Sequence, residues 1–266
     1  MAFTDKNTLK MRLLRFVSRC IFLLNFLIAD RIVFQNPDDE KDLWLTRFFH
    51  KKHSVIEGSG VDIRRFDKRN FDMEKIKREL DVEKKIILTF ISRLVWQKGI
   101  REVIEASERL FKDFPAIHLL IVGKIDYSNP ESVSEEFIKK YESHPQISFL
   151  GLRGDIPEIL AVTDVYVYPS YYREGVPRTV LEALATGIPV ITTDMPGCRL
   201  TVEEEENGYL IPPKSVGATE DAIRKILAEK NREEMGQYSR NLAERRFQNR
   251  IVYEKIYKKY LEIIVR

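Results

Sequence analysis

Residues 165–194 read Val-Tyr-Val-Tyr-Pro-Ser-Tyr-Tyr-Arg-Glu-Gly-Val-Pro-Arg-Thr-Val-Leu-Glu-Ala-Leu-Ala-Thr-Gly-Ile-Pro-Val-Ile-Thr-Thr-Asp. Val165 to Tyr168 is an unbroken run of β-branched and aromatic residues, which predicts a strand buried on both faces. The polar loop that follows holds Glu174, Gly175 and Pro177. Arg178 to Thr186 predicts a helix stopped by Gly187, and Pro189 to Thr192 predicts the next strand. Strand, helix and strand in this order make one unit of a parallel sheet.

The same alternation extends outward from this unit. Upstream, strands are expected at Ile86 to Ile91, His118 to Val122 and Ile147 to Leu150. Helices are expected from near Gly99 to Phe111, at Glu131 to Tyr141, and at Asp155 to Ala161 with Asp155 as its cap. After residue 215 the chain reads as helical, at Glu220 to Glu229, Asn231 to Phe247 and Ile251 to Ile264. On the last helix Val252, Ile256, Tyr260 and Ile263 share a side. The fold class is α/β, a doubly wound parallel sheet.

Before residue 58 no comparable run exists. There is a long helix from Leu9 to Ile28, a strand at Arg31 to Gln35, a helix near Asp39 to Phe49 and a strand at Ser54 to Ile56. The helix carries Leu13, Leu14, Val17, Ile21, Leu24 and Ile28 on one face with Phe22, Phe26 and Leu27 beside it, and so requires burial on more than one side. Residues 1–57 therefore read as the end of a domain rather than a whole one. Gly58-Ser59-Gly60-Val61-Asp62 marks the hinge into a second domain at 58–247, and 248–266 is a final cross-over helix.

The chain has 266 residues, 44% hydrophobic and 32% charged, with a net charge of +3. This is an ordinary globular composition, and the charge gives no reason to expect nucleic acid as a partner. Two cysteines, Cys20 and Cys198, predict no disulfide and a cytoplasmic setting. The run Cys20 to Ala29 contains Asn25 and is far short of the ~20 residues a spanning helix needs. Lys6, Lys10, Arg12, Arg15 and Arg19 make the first helix basic. Covering the first domain's sheet is the preferred role for it, with peripheral contact to an anionic membrane surface as the alternative.

Glu174 at a loop tip and Glu182 about one turn into the next helix can address two ends of one polar ligand. The unpaired amides of the helix start lie between them and favour an anion. Gly175 allows close backbone approach, and Pro177 suits the turn into the helix. Arg93 follows a strand and Lys98 precedes a helix, so both fall on the carboxyl edge of the sheet, where open α/β sheets bind ligands. This set suits a nucleotide sugar. His50 and His53 have an H-x-x-H spacing but no third ligand, and read as surface residues of a helix-to-strand turn. Tyr171 and Tyr172 either line the ligand cleft or are partly buried loop aromatics, a phosphate role for Lys124 is not favoured, and Glu203 to Glu206 read as a solvated helix face or loop.

In order along the chain come Gly58-Ser59-Gly60-Val61-Asp62 with Phe66, Ser92-Arg93-Leu94 with Lys98-Gly99-Ile100, Ile121-Val122-Gly123, Phe149-Leu150-Gly151, and the block from Pro169 to Asp194. Together these resemble the retaining family 4, or group 1, glycosyltransferases of GT-B fold, in the variants typical of bacterial polysaccharide assembly. The resemblance runs from about residue 30 to the C-terminus. It implies that Glu182 holds the ribose hydroxyls, that Glu174 contacts the donor sugar, and that Arg93 and Lys98 grip the diphosphate. Gly175, Val176, Pro177 and Thr179 would complete the donor site. As the glycosidic bond breaks, negative charge grows on the leaving phosphate, and removing one preorganised donor to such charge costs on the order of 3 kcal/mol. The chain contains no Asp-x-Asp triplet, so Arg93 and Lys98 are expected to neutralise the phosphates with no metal or other cofactor.

The expected activity is transfer of a hexose or N-acetylhexosamine from a nucleotide sugar, UDP-linked by preference, to a cell-surface glycan or lipid-linked acceptor with retention. Most of the family's N-terminal acceptor domain is missing from the pattern. The chain thus reads as truncated or split, with a separate acceptor domain as partner. The rival reading is a nucleotide-sugar-binding module without turnover.

Overall fold

The computed structural model describes residues 9–228 and 232–265, with side chains from residue 12 onward. Lys6 and Glu229 lie outside these residues, and the Lys10 side chain lies outside the described side chains.

The expected doubly wound sheet is present. Six strands pair in parallel throughout: β3 (Ile86–Ile91), β4 (Ile117–Val122), β5 (Ile147–Gly151), β6 (Val165–Tyr168), β7 (Val190–Thr193) and β8 (Gly208–Ile211), in spatial order β5-β4-β3-β6-β7-β8. Every side chain of β4, β6 and β7 is buried, which is why these segments read as unbroken apolar runs rather than alternating ones. Going from β3 to β5 the chain moves one way across the sheet, and from β6 to β8 the other. Right-handed crossovers then place α4 (Ile100–Leu110) and α8 (Val216–Ala228) together on one face, and α6 (Ile156–Ala161), α7 (Arg178–Thr186) and α9 (Arg232–Leu242) together on the other.

Local chemistry shifts several boundaries. Helix α5 starts at Glu135, not Glu131, because the Ser134 hydroxyl accepts from the Phe137 amide as its cap. Asp155 stands at the N-cap of α6 without capping it, since its carboxylate is engaged by Arg153. The helix expected over 231–247 ends at Leu242 and continues as a π-helical turn at Ala243–Phe247. Helix α3 (Met73–Glu79) and strand β8 had no counterpart in the sequence reading. Glu203 and Glu204 are not merely solvated: Glu203 accepts from the Tyr238 hydroxyl and Glu204 from the Leu210 amide, forming the turn into β8.

The N-terminal part forms a separate two-stranded parallel sheet, β1 (Ile32–Phe34) with β2 (His53–Val55). It is flanked by α1 (Leu9–Ile28) and α2 (Pro37–Asp42). The helix expected near Asp39 to Phe49 starts earlier, because Asn36 caps it and Pro37 occupies its first turn. It also stops at Leu43, whose backbone is extended, before a 3-10 turn at Trp44–Arg47. His53 is not a surface residue but sits in β2, 2.9 Å from the Glu40 carboxylate and 3.1 Å from the Thr46 carbonyl.

Burial of α1 within this chain is slight. Phe26 is 1% exposed and meets Phe49, with ring centroids 5.5 Å apart. Leu13, Phe16, Ile21, Leu24, Leu27 and Ile28 all remain exposed. A sheet of two short strands is too narrow to cover a 20-residue helix, so the preferred packing role is not fulfilled by these residues. Among the described residues no helix is long and apolar enough to cross a membrane.

Two chain segments connect the N-terminal part to the large sheet, and they bond to each other. The Val61 amide donates to Phe247 O at 2.8 Å, and the Asn249 amide donates to Val61 O at 3.0 Å. The final helix α10 (Asn249–Ile264) then returns to the N-terminal part, where Glu262 pairs with Arg31 at 2.8 Å. Its more buried stripe is Val252, Ile256, Lys259 and Ile263, whereas Tyr260 is 60% exposed.

Candidate active site

The strand order reverses between β3 and β6, so their carboxyl ends open a crevice that neither neighbouring crossover covers. The loop after β3 carries Arg93 and Lys98, and the loop after β6 carries Glu174. Backbone bonds join the two loops: the amides of Tyr171 and Tyr172 both donate to Gln97 O, at 2.9 and 3.1 Å. Gly99 has φ +84°, and a Cβ there would run into the carbonyl oxygen of Pro169. Only glycine allows this close approach of the two loops.

The result is a compact ionic centre. The Lys98 ammonium, 8% exposed as a residue, bonds directly to the Glu174 carboxylate. The same carboxylate oxygen accepts from the Tyr168 hydroxyl at 2.9 Å and the Ser170 hydroxyl at 3.3 Å. Burial, and then the Glu174 charge, push the Tyr168 hydroxyl well above its ordinary pKa, so it stays a donor. The Lys98 ammonium also lies 5.1 Å from the centre of the Tyr172 ring and 5.7 Å from that of Tyr168, a cation–π setting on two sides.

The other expected residues are placed differently. Arg93 does not join Lys98; its side chain is 62% exposed and bonds Asp126 at 2.7 Å. The Ser128 hydroxyl and Arg93 hold the Asp126 carboxyl below its usual range. Glu182 is mostly buried on α7, and burial pushes its carboxyl up despite the Arg178 guanidinium 3.2 Å away. No side chain caps the first turn of α7 behind Pro177, which leaves its first amides unclaimed by a cap. Val176 and Pro177 are buried and anchor the turn. The Thr179 hydroxyl lies against that of Tyr166 and not free in the crevice.

Sequence reasoning missed a third contributor. Asn36, fully buried, donates from Nδ2 to the backbone oxygens of Glu174 and Gly175 at 3.2 and 3.1 Å. Beside it Arg173 pairs with Asp39 at 2.7 Å and Asp42 at 2.6 Å, and Arg199 with Asp38 at 2.9 Å. The Asn-Pro-Asp-Asp signature of a helix start at 36–39 was readable, but nothing local linked it to a loop some 140 residues later.

A profile of the family described as glycosyl transferases group 1 matches residues 72–242. The chain belongs to that family. Its doubly wound sheet is of the GT-B type, as in an Anabaena HepE complex with UDP and glucose, with which it has a TM-score of 0.81 at 22% identity, covering 91% of this chain and 66% of that one. A solved C-terminal domain of a group 1 glycosyl transferase from Francisella tularensis covers 71% of this chain and is itself 99% covered, with a TM-score of 0.61 at 24% identity.

Among curated proteins, the chain is 29% identical over 262 residues to the N,N'-diacetylbacillosaminyl-diphospho-undecaprenol alpha-1,3-N-acetylgalactosaminyltransferase of Campylobacter jejuni. That match covers 97% of this chain and 66% of the relative. It is 28% identical to a UDP-Gal:alpha-D-GlcNAc-diphosphoundecaprenol alpha-1,3-galactosyltransferase of Escherichia coli, covering 88% and 60%. The chain thus spans between about half and two thirds of the curated relatives it matches.

Proposed function

We propose that this chain provides the donor-binding part of a retaining glycosyltransferase. It would use a UDP-hexose or UDP-N-acetylhexosamine, with a lipid-linked or polysaccharide glycan as acceptor. The observation that carries the reading is the Lys98–Glu174 centre in the crevice between β3 and β6. An ammonium held there lies beside the leaving phosphate of a ligand bound at the carboxyl edge, where it offsets the charge that forms as the glycosidic bond breaks. Glu174 would orient the sugar hydroxyls, Glu182 the ribose, and the open amides of α7 the diphosphate, aided by Gly175, Val176, Pro177 and Thr179. Arg93 would leave Asp126 to reach the phosphates, so that two cations replace a metal. The bond's electron pair goes to the phosphate oxygen. The acceptor hydroxyl attacks from the same face, and its proton passes to that oxygen.

The relatives named for diphospho-undecaprenol-linked sugars favour a lipid-linked acceptor, and the chain would meet it at a cytoplasmic membrane face. The acceptor-side residues would come from further sequence or a partner domain. Calorimetric titration with UDP, GDP and UDP-sugars tests the donor site. UDP is expected to bind, and Glu182→Ala to weaken it about ten-fold or more, the loss of hydrogen bonds to a charged group. Absence of binding by any nucleotide overturns the assignment. Binding without donor hydrolysis or transfer, even with an added acceptor domain, makes the chain a binding module.

A further inference from the structure

Asn36 belongs to the N-terminal part, outside the six-stranded sheet, yet it is 0% exposed. Both ends of its carboxamide are engaged. Oδ1 accepts from the Asp39 amide at 2.7 Å, and Nδ2 donates to Asp39 Oδ2 at 2.8 Å, to Glu174 O at 3.2 Å and to Gly175 O at 3.1 Å. The other side of the same loop is equally confined, since a Cβ on Gly197 would strike Gly175 O. Gln35 lies so close to Gly175 that a Cβ there would strike its side-chain oxygen.

We infer that Asn36 is a positioning residue: its carboxamide holds the Glu174–Gly175 backbone, and thereby keeps the Glu174 carboxylate on Lys98, Tyr168 and Ser170. A loop carboxylate is otherwise free to follow its backbone, and an orphaned pair of buried carbonyls would draw the loop toward water. The inference rests on the reading that Glu174 meets the donor sugar. It adds that the N-terminal part sets the geometry of the donor site.

Asn36→Asp separates the two jobs of the side chain. The carboxylate can still cap α2, but it sets an oxygen against the two carbonyls and against Asp39. Asn36→Ser also keeps a cap, and it is too short to reach the loop, so it serves if the aspartate variant does not fold. Each variant and Glu174→Gln is titrated with UDP, UDP-glucose, UDP-galactose and UDP-N-acetylgalactosamine. Hydrogen exchange is followed in the peptide 169–180. Both Asn36 variants should speed exchange in that peptide while leaving β3 and β4 unchanged. They should weaken binding of the sugar nucleotide about ten-fold with UDP itself within two-fold, the value of one hydrogen bond to a charged group, and Glu174→Gln should do the same.

Equal weakening of UDP and sugar nucleotide, with a matching fall in Tm, marks a merely structural role and overturns the inference. So does unchanged exchange in 169–180. If Glu174→Gln leaves every affinity unaltered, or the wild type binds no nucleotide, the donor reading fails, and exchange in the loop still decides whether Asn36 holds it.

Discussion

At the scale of single residues, the Lys98–Glu174 pair dominates. Both side chains are mostly withdrawn from water, so removing one leaves an uncompensated charge. Lys98→Met and Glu174→Gln should each destabilise by about 3 kcal/mol, as for other buried pairs. The double variant should lose clearly less than the sum, with a coupling of about 1–3 kcal/mol in urea unfolding. Additive losses would mean the two side chains do not act as a pair. Glu102 is a different case: it is 6% exposed, and one of its carboxylate oxygens has no partner. Burial pushes its carboxyl above the ordinary range. Between the ordinary and the raised value the unfolded chain has already released the proton that the folded chain keeps, so stability falls as pH rises through that window. Glu102→Gln removes this loss, and its stability relative to wild type should be greater at pH 8 than at pH 4 by urea unfolding. An unchanged difference would rule out Glu102 as a source of the slope.

At the scale of elements, what was legible depended on whether local sequence carried the cause. The strands β3, β4, β6 and β7 were readable because burial on both faces forces continuous apolar runs. Strand β8 was not, since Gly-Tyr-Leu-Ile is short and follows a run of four glutamates, and only the fold reveals that Glu203 is tethered to Tyr238 and Glu204 to Leu210. Glu174 and Lys98 were each identified, but their direct bond depends on the reversal between β3 and β6. Arg93 followed the same positional logic yet pairs with Asp126, a carboxylate on the loop after β4 that local sequence does not place beside it. Glu182 lies one turn from Arg178, an i,i+4 pair that the sequence displays plainly and that was passed over. The junction of the two site loops offers a direct test. Gly99→Ala places a methyl group against Pro169 O at a positive φ, which should cost at least ~1–3 kcal/mol and lower UDP affinity as Lys98 shifts. A variant with wild-type Tm and affinity would mean the loops are not held by that contact.

At the scale of the whole molecule, the large sheet has a complete core and the N-terminal part does not. Exposed Leu13 (62%), Phe16 (64%) and Leu24 (56%) lie on one long helix, and contiguous exposed apolar residues of this kind mark contact sites. The purified chain should associate as its concentration rises. Replacing these three residues by Gln should restore a monomer in sedimentation without lowering the Tm of the large sheet. Association unaffected by the triple substitution would place the contact elsewhere.

Those joined segments have a mechanical consequence. Val61 gives and receives a backbone hydrogen bond with the returning chain, so the two crossings are joined into one leaf instead of acting as two independent tethers. Bending one bends the other about a shared line, and twisting either alone means breaking the bonds between them. Whatever swing separates the N-terminal part from the large sheet is thereby reduced toward a single axis. The bond from Asn36 to Glu174 spans the same two parts, so any such swing acts directly on the hold that places the Glu174 carboxylate.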